Sequence, residues 1–274
     1  MLSPLRYPGG KADFLPTILK VFQHAGLEGL PFFEPYAGSA AIALSLVEGG
    51  VVKNATLLER DPLVYAFWKC VFEHTDELLT QYQALPITLE TWHRLRPLML
   101  VQEVTQQNLV PLGLAGLFFN RANFSGVMNG GPIGGMRQLS QYKIDCRTNK
   151  DDLICRILSI AALDSKFEVR FGDAIDLIKE NQRKKNVVFY IDPPYFEKGE
   201  LLYRHYYRHA DHKKLAAALK DAKFQWILSY DPHHVIEFLY SDFAVQKHHF
   251  RYSARSPKKH DELLISNVDL PSRW

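Results

Sequence analysis

The chain has 274 residues, of which 47% are hydrophobic and 23% charged, and its formal net charge is +3. This length fits one large α/β domain or a domain with an insertion, and the apolar content supplies a substantial core, which excludes wholesale disorder. No apolar run approaches membrane-spanning length, the N-terminal sequence lacks a secretory apolar segment, and three cysteines without metal-ligand spacing fit a reducing cytosol.

The first predicted element follows a glycine turn. In Pro8-Gly9-Gly10-Lys11 the glycines let the backbone approach a ligand closely, and residues 12–25 then show the apolar spacing of a helix. Lys11 at the entry of this helix is a candidate to hold an anionic group. Taken alone, a plain loop with a solvated lysine is the simpler interpretation.

The next segment predicts the first unit of a nucleotide-binding fold. A short strand at 32–33 is followed by a turn of small residues and a helix over about 40–48. A second strand at 55–58 ends at Glu59, which lies 21 residues after Gly38. Because such folds place the acid that binds ribose hydroxyls at about this spacing, the pattern indicates a ribose-bearing cofactor.

From about residue 76 the alternation of strands and helices gives way to continuous helical periodicity, which returns to alternation near residue 166. We therefore predict an inserted, mainly helical subdomain over 76–165, between two parts of one α/β domain at 1–75 and 166–274. The helical segments are predicted at 63–75, 78–85, 88–101, 106–119 and 150–163.

Within this insert, residues 118–138 form a loop rich in Gly and Asn. Its amides, guanidinium and aromatic ring are the groups that read base edges and wedge between bases, although a flexible loop with a helix C-cap fits the sequence equally well. The candidate nucleic-acid contacts in this loop are Asn120, Arg121, Phe124 and Ser125.

Alternation resumes in the last third of the chain. The strands are predicted at 167–171, 187–191, 224–228, 243–250 and 263–266, and the helices at 174–181, 213–222 and 235–240. Asp173 follows the first of these strands, where it can bond a cofactor's adenine or merely cap the next helix. Tyr203, Tyr206 and Tyr207, interleaved with charge, suit contacts to a single strand or a flipped base. The basic residues of 244–260 form either a solvated face or a phosphate track.

The strand at 187–191 runs directly into Asp192-Pro193-Pro194-Tyr195. In open α/β sheets ligands bind at the carboxyl ends of the strands, and the two prolines fix the backbone there. The result is a rigid mount for one carboxylate, free carbonyl groups and one aromatic face, which suits a flat base that carries an amino group. Four residues are a weak signal by themselves, since a simple turn fits them too.

These stretches, in this order and over nearly the whole chain, resemble the Dam-like (D12, α-group) DNA adenine-N(6) methyltransferases. The matching stretches are 5–11, the N-terminal cofactor motif; 32–40, the Phe-x-Gly-x-Gly loop; 120–126, the target-recognition segment; 192–195, the Asp-Pro-Pro-Tyr motif; and 251–267, the C-terminal ending. Two positions depart from the family pattern. Ala40 stands where the family usually has its last glycine, and Glu59 replaces the usual Asp.

The resemblance implies a Rossmann-like methyltransferase fold, whose sheet is mostly parallel with one antiparallel strand near the C-terminus. It implies that 1–75 and 166–274 form the catalytic domain and that 76–165 is an inserted target-recognition subdomain. It also implies S-adenosylmethionine as methyl donor and no metal ion. The implied catalytic residues are Asp192, Pro193, Pro194 and Tyr195. The implied cofactor contacts are Tyr7, Lys11, Glu34, Pro35, Ala37, Gly38, Ser39, Glu59, Asp173 and Asp192. The implied DNA contacts are Asn120, Arg121, Phe124 and Ser125, with Arg251, Arg255, Lys258 and Lys259 of the basic segment.

The implied reaction is site-specific methyl transfer to the 6-amino group of a flipped-out adenine in double-stranded DNA, in the cytoplasm of a bacterium or phage host. A cognate restriction endonuclease or another defence-system component is left open as a partner. Three alternatives also stay open. The first is the same chemistry on RNA or on the cytosine amino group. The second is a nucleotide-dependent oxidoreductase, although the turn at Gly38 lacks the full Gly-x-Gly-x-x-Gly pattern of that class. The third is a non-catalytic regulator that binds S-adenosylmethionine and DNA.

Overall fold

A computed structural model describes residues 3–7, 10–251 and 259–271. The predicted DNA contacts Arg255 and Lys258 lie outside the described residues, and of Arg251 and Lys259 only the backbone is placed. The described residues form a seven-stranded sheet. Its strands are β1 (Phe32–Glu34), β2 (Ala55–Glu59), β3 (Phe167–Phe171), β4 (Val188–Ile191), β5 (Gln225–Tyr230), β6 (Ala244–Arg251) and β7 (Lys259–Ser266).

The strand order is β3-β2-β1-β4-β5-β7-β6. Strands β1 to β5 pair in parallel, and β7 runs antiparallel to both β5 and β6. The predicted sheet, mostly parallel with one antiparallel strand near the C-terminus, is confirmed. The chain order reverses between β1 and β4, and the crevice outside the carboxyl ends of strands at such a point is where ligands bind in this class of fold.

Helices cover both faces of the sheet. They are α1 (Leu15–Ala25), α2 (Ala41–Glu48), α3 (Pro62–Glu73), α4 (Thr75–Ala84), α5 (Leu89–Leu95), α6 (Leu109–Ala122), α7 (Lys150–Ala161), α8 (Ala174–Asn181), α9 (Gly199–Leu202), α10 (His209–Lys220) and α11 (His234–Leu239). Strand β4 shows why two layers form, because all four of its side chains are buried. Val188 and Tyr190 pack in the core on one face, and Phe189 and Ile191 pack in the core on the other.

The predicted insert packs onto α3 through α6. Gly113 and Gly116 let these two helices approach closely, since a Cβ at Gly113 would lie 2.9 Å from the Ala66 carbonyl oxygen and one at Gly116 would overlap that of Leu63. The apolar residues of α4 to α7 belong to the same core as one face of the sheet. The division into a catalytic domain and a target-recognition subdomain therefore stays a prediction about function.

Several predicted boundaries differ from the observed ones for local reasons. The predicted helix at 88–101 is α-helical only to Leu95 and continues as a 3₁₀-helix over Arg96–Leu100, because Pro97 lacks the N–H that an α-helix needs. Helix α10 begins four residues earlier than predicted, where the Asp211 carboxylate accepts a hydrogen bond from the Arg208 N–H. Strand β7 also begins four residues early, since its first residues are polar and carry no apolar strand signal.

Candidate active site

A cleft of about 840 Å³, counted out to its solvent-open mouth, lies at the carboxyl ends of β1, β2 and β4. The structure brings all ten predicted cofactor contacts together in its wall, although they come from distant parts of the chain. These are Tyr7, Lys11, Glu34, Pro35, Ala37, Gly38, Ser39, Glu59, Asp173 and Asp192, joined by Pro194 of the predicted catalytic motif. Such convergence follows from the sheet, which places successive strand ends side by side.

The turn after β1 forms the floor of the cleft. Gly38 has a φ of +45°, donates its N–H to Glu59 Oε2 at 3.0 Å, and accepts a hydrogen bond from Trp68 Nε1 at 2.8 Å. A Cβ at this position would lie 3.1 to 3.3 Å from three carbons of the Tyr7 ring. Ala40 has a φ of +50°, so the alanine adopts the left-handed conformation that the usual glycine reaches without strain.

Glu59 is held by the backbone around it. Its Oε1 accepts hydrogen bonds from the N–H groups of Arg60 and Asp61, both at 2.9 Å, in addition to the Gly38 bond on Oε2. A carboxylate offers about four lone-pair sites, so roughly one remains for a ligand hydroxyl. Burial raises the pKa of Glu59 to about 7, while the backbone N–H groups act in the opposite direction.

Two further acids in the wall also have structural roles. Glu34 Oε2 accepts a hydrogen bond from the Ala43 N–H at 2.9 Å, and burial raises the pKa of this carboxyl to about 8. Asp173 Oδ1 accepts a hydrogen bond from the Ile175 N–H at 2.9 Å, and Oδ2 forms an ion pair with Arg60 at 3.2 Å. Asp173 thus caps α8 and lines the cleft at once, so both sequence interpretations fit its position.

Asp192 is fixed by contacts to one of its two oxygens. Oδ1 accepts a hydrogen bond from Ser229 Oγ at 2.8 Å and lies 2.9 Å from Lys11 Nζ. Ser229 is itself hydrogen-bonded to the Tyr190 hydroxyl at 3.0 Å. Although burial opposes it, the Asp192 and Glu262 carboxylates raise the pKa of Lys11 well above its ordinary value, so Lys11 stays protonated.

Tyr195 packs beside the same lysine. Lys11 Nζ lies 5.0 Å from the centroid of the Tyr195 ring and donates a hydrogen bond to its hydroxyl at 3.2 Å. That hydroxyl donates to Glu262 Oε1 at 2.7 Å. The backbone beyond Tyr195 is held by Asp231, whose carboxylate accepts hydrogen bonds from the N–H groups of Phe196 and Glu197. The loop that carries the predicted catalytic motif is therefore anchored from β5 and β7.

The segment after this loop closes one side of the cleft. Tyr203 stacks on Tyr7 with ring centroids 6.1 Å apart, and the Tyr207 and Tyr36 hydroxyls are hydrogen-bonded at 2.8 Å. Arg204 forms a buried ion pair with Asp61 at 2.8 Å. The sequence suggests nucleic-acid contacts for the tyrosines of this segment, but in the structure Tyr203 and Tyr207 are part of the cleft wall.

The loop predicted to contact nucleic acid presents some of its residues and buries others. Phe124 is 71% exposed, and Ser125, also exposed, has a φ of +55°. Asn120 is 1% exposed, and its side chain accepts a hydrogen bond from the Arg6 N–H and donates to the Arg6 carbonyl, each at 2.6 Å. The Asn120 amide is thus engaged by the protein's own backbone, whereas Phe124 and Ser125 face solvent.

Arg121 lies at the base of this loop. Its Nε and the Nη1 of Arg6 are buried without a hydrogen-bond partner. Burial, together with the nearby positive charge of Arg6, lowers the pKa of Arg121 to about 10. Two half-buried arginine side chains, each with one buried donor that lacks a partner, are groups that an anion would stabilise.

Sequence reasoning missed several residues of the site. They are Arg60, Asp61, Arg204, His205, Ser229 and Glu262. The sequence could have indicated Ser229 as a site residue, because Ser229 directly follows a predicted strand, as Asp192 does. Among the described residues, no group of three or more His, Cys, Asp or Glu side chains is arranged to hold a metal ion. None of the helices in the described ranges is long and apolar enough to cross a membrane.

A family model described as D12 class N6 adenine-specific DNA methyltransferase matches residues 7–254. A comparison with curated proteins gave no match. Among solved structures, the chain is similar to a candidate RNA methyltransferase from Pyrococcus horikoshii, with 11% identity, a TM-score of 0.44, and coverage of 98% of this chain and 87% of that one. It is also similar to the m1A22 tRNA methyltransferase TrmK of B. subtilis, with 12% identity, a TM-score of 0.39, and coverage of 92% and 65%. At such scores these likenesses carry no argument about substrate.

Proposed function

Because the chain belongs to the D12 class N6 adenine-specific DNA methyltransferase family, we propose that it transfers a methyl group from S-adenosylmethionine to the 6-amino group of adenine in double-stranded DNA. The observation that carries the proposal is the position of Asp192. Its carboxylate stands at the end of β4, in the wall of a cleft that the glycine turn after β1 also forms. A DNA substrate also supports a cytoplasmic location.

The residues of the cleft fit S-adenosylmethionine. The missing Cβ of Gly38 lets the Tyr7 ring pack directly against the backbone of the turn that lines the cleft. Glu59 retains about one lone-pair site for a ribose hydroxyl. The carboxylate of Asp173 in the cleft wall suits a ligand with a positive sulfonium. When bound, this cofactor supplies a methyl group on a good leaving group, so no metal or protein nucleophile is required.

The catalytic motif would then act on the acceptor. Asp192 has both described side-chain contacts on Oδ1, which leaves Oδ2 to accept an N–H bond from the adenine amino group. The Pro193 carbonyl would accept the second N–H, which directs the nitrogen lone pair at the methyl group. Such preorganised acceptors stabilise the positive charge that develops on nitrogen, as an oxyanion hole stabilises a negative one. Tyr195 would stack on the base, a contact worth roughly 1–3 kcal/mol.

The exposed part of the recognition loop supports a nucleic-acid substrate. An aromatic side chain as exposed as Phe124 can enter the stack that a flipped base leaves, at a cost of a few kcal/mol for the flip. The buried, unsatisfied N–H groups of Arg121 and Arg6 suit a phosphate. The basic segment 251–259 is proposed to add phosphate contacts, in which case affinity should fall steeply with salt.

Product analysis tests the proposal. The protein is incubated with S-adenosylmethionine and unmethylated DNA, and the nucleosides are examined by mass spectrometry for N6-methyldeoxyadenosine. We expect this product from the wild type and a loss of at least ~10²-fold in Asp192→Ala and Asp192→Asn, the scale for one preorganised group. Calorimetric titration should show that both variants still bind the cofactor.

A matched control is Asp242→Asn. Asp242 is also an acid with a lysine partner, Lys220, but its side chain is 64% exposed. It should keep full activity. Methylation of RNA alone, or of cytosine, would show that the acceptor is not adenine in DNA. Absence of cofactor binding in the wild type would refute the proposal. Activity with and without a co-expressed endonuclease would show whether a restriction partner exists.

A further inference from the structure

Glu262 is a buried acid that the proposed reaction leaves without a role. It lies on β7, is 8% exposed, and belongs to the C-terminal stretch that resembles the family's ending. Its Oε1 accepts the hydrogen bond from the Tyr195 hydroxyl and lies 3.5 Å from Lys11 Nζ. Its Oε2 is buried without a hydrogen-bond partner. A buried oxygen without a hydrogen-bond partner lowers the stability of the fold, so its position beside the proposed reacting groups indicates a functional role.

The direction of each hydrogen bond around Glu262 is fixed. A lysine ammonium can only donate, so in the contact between Lys11 and Tyr195 the phenol oxygen accepts. The phenol hydrogen is then free to point at Glu262 Oε1, as the 2.7 Å distance indicates. Lys11 also points at Asp192 Oδ1. One ammonium thus joins the catalytic carboxylate to Tyr195 and Glu262.

The charges of this cluster decide how well it accepts the methyl group. Lys11 and Asp192 cancel each other, so the three groups carry no net charge when Glu262 is protonated and one negative charge when it is ionised. Methyl transfer from a sulfonium moves one positive charge onto the amino nitrogen. A cluster with a negative charge stabilises the positive charge that develops on the amino nitrogen, and a neutral cluster does not.

We propose that ionised Glu262 is a second counter-charge of Lys11 beside Asp192, which leaves more of the negative charge of Asp192 available to the amino group, and that Glu262 also fixes Tyr195 for stacking. The inference rests on the proposed methyl transfer. Glu262 acts through Lys11 and Tyr195, and it is therefore a positioning residue.

The environment of Glu262 gives the proposal a pH signature. Burial raises the pKa of Glu262 to about 7, with Lys11 acting in the opposite direction. The charged and titratable groups around it are Lys11, Tyr190, Asp192, Tyr195, Tyr203 and the cross-strand His248. The rate of a single methyl transfer, measured at saturating cofactor, should therefore rise with pH through about 7 and then level off.

Glu262→Gln tests this directly, because glutamine keeps the size and an oxygen that accepts from Tyr195 but cannot carry the charge. Above pH 7 its single-turnover rate should be about ten- to a hundredfold lower, the scale for the loss of one nearby charge at an effective dielectric of about 20. The rate of the Glu262→Gln variant should no longer rise with pH, and its affinity for S-adenosylmethionine should equal that of the wild type. A wild-type rate with the wild-type rise would overturn the proposal.

Tyr195→Phe separates the charge from the hydroxyl contact. It keeps the ring and the Glu262 carboxylate, so its rate should be lower but should still rise with pH. A profile as flat as that of Glu262→Gln would mean that Glu262 acts only through the hydroxyl, which contradicts the counter-charge. If Glu262→Gln does not fold, Glu262→Asp keeps the charge and should keep the rise, and a flat profile there is equally contrary. A wild type that methylates no acceptor at any pH would instead refute the proposed function.

Discussion

Gly38→Ala tests whether the turn after β1 is shaped for a ligand. A side chain in the left-handed region costs about 1–2 kcal/mol, and Gly38 has a φ of +45°. The added Cβ would lie 3.1 Å from the nearest carbon of the Tyr7 ring, so the ring must move. Overpacking of this kind costs roughly 1–3 kcal/mol. We expect the free energy of unfolding to fall by about 2–5 kcal/mol in total.

Gly26→Ala is the matched control. Gly26 follows α1 with a φ of +63°, but a Cβ there would meet nothing within 4 Å. This variant should lose only the conformational cost of about 1–2 kcal/mol. The difference between the two variants, measured by chemical denaturation, isolates the contact with Tyr7.

Cofactor binding separates the two variants further. Calorimetric titration with S-adenosylmethionine should show about a ten- to hundredfold loss of affinity in Gly38→Ala, which corresponds to the 1–3 kcal/mol spent on displacing Tyr7. Gly26→Ala should bind as the wild type does. Wild-type affinity in Gly38→Ala, or equal stability losses in both variants, would refute the reasoning about this turn.

Other changes test other parts of the molecule. Burial raises the pKa of Glu34 to about 8 from 4.5, so the folded protein holds a proton that the unfolded chain releases, and stability should fall as pH rises through that window. Glu34→Gln should remove this contribution to the loss of stability with pH. Denaturation midpoints that decline in parallel with pH for the wild type and the variant would contradict this prediction. Gly116→Ala should destabilise by about 1–3 kcal/mol, because its Cβ would overlap the Leu63 carbonyl oxygen, whereas Gly131→Ala, in open space, should not. Phe124→Ala removes an exposed ring. It should leave stability unchanged and reduce base flipping, seen as 2-aminopurine fluorescence at the target position, by about tenfold or more; unchanged fluorescence would argue against a wedge.

The parts of the site at the ends of parallel strands are predictable from the sequence. Glu59 and Asp192 each follow a short apolar run, and parallel pairing brings such ends to one edge whatever lies between them. Ser229 and Glu262 are different, because they reach the site only through the pairing of β4 with β5 and of β5 with β7. The register of β7 could not be predicted, since its first residues are polar and carry no alternating signal.

Asn120 shows a second limit of sequence reasoning. An amide that can pair with the edge of a base can equally pair with a peptide group, because both present one donor beside one acceptor. The sequence therefore identifies the chemistry of this side chain and not its partner. The structure gives the partner as the backbone of Arg6, 114 residues away.

If the Phe124 loop binds DNA and the cleft binds S-adenosylmethionine, as proposed, the two Asn120 hydrogen bonds connect the two binding sites. They tie the last turn of α6, which leads into the Phe124 loop, to Arg6, and the next residue is the Tyr7 that packs against Gly38. A nucleic acid that shifts this loop therefore shifts the edge of the cofactor cleft as well. By reciprocity, if bound DNA changes the affinity for S-adenosylmethionine by some factor, bound S-adenosylmethionine must change the affinity for DNA by the same factor. Asn120→Ala should reduce that factor toward one in both titrations.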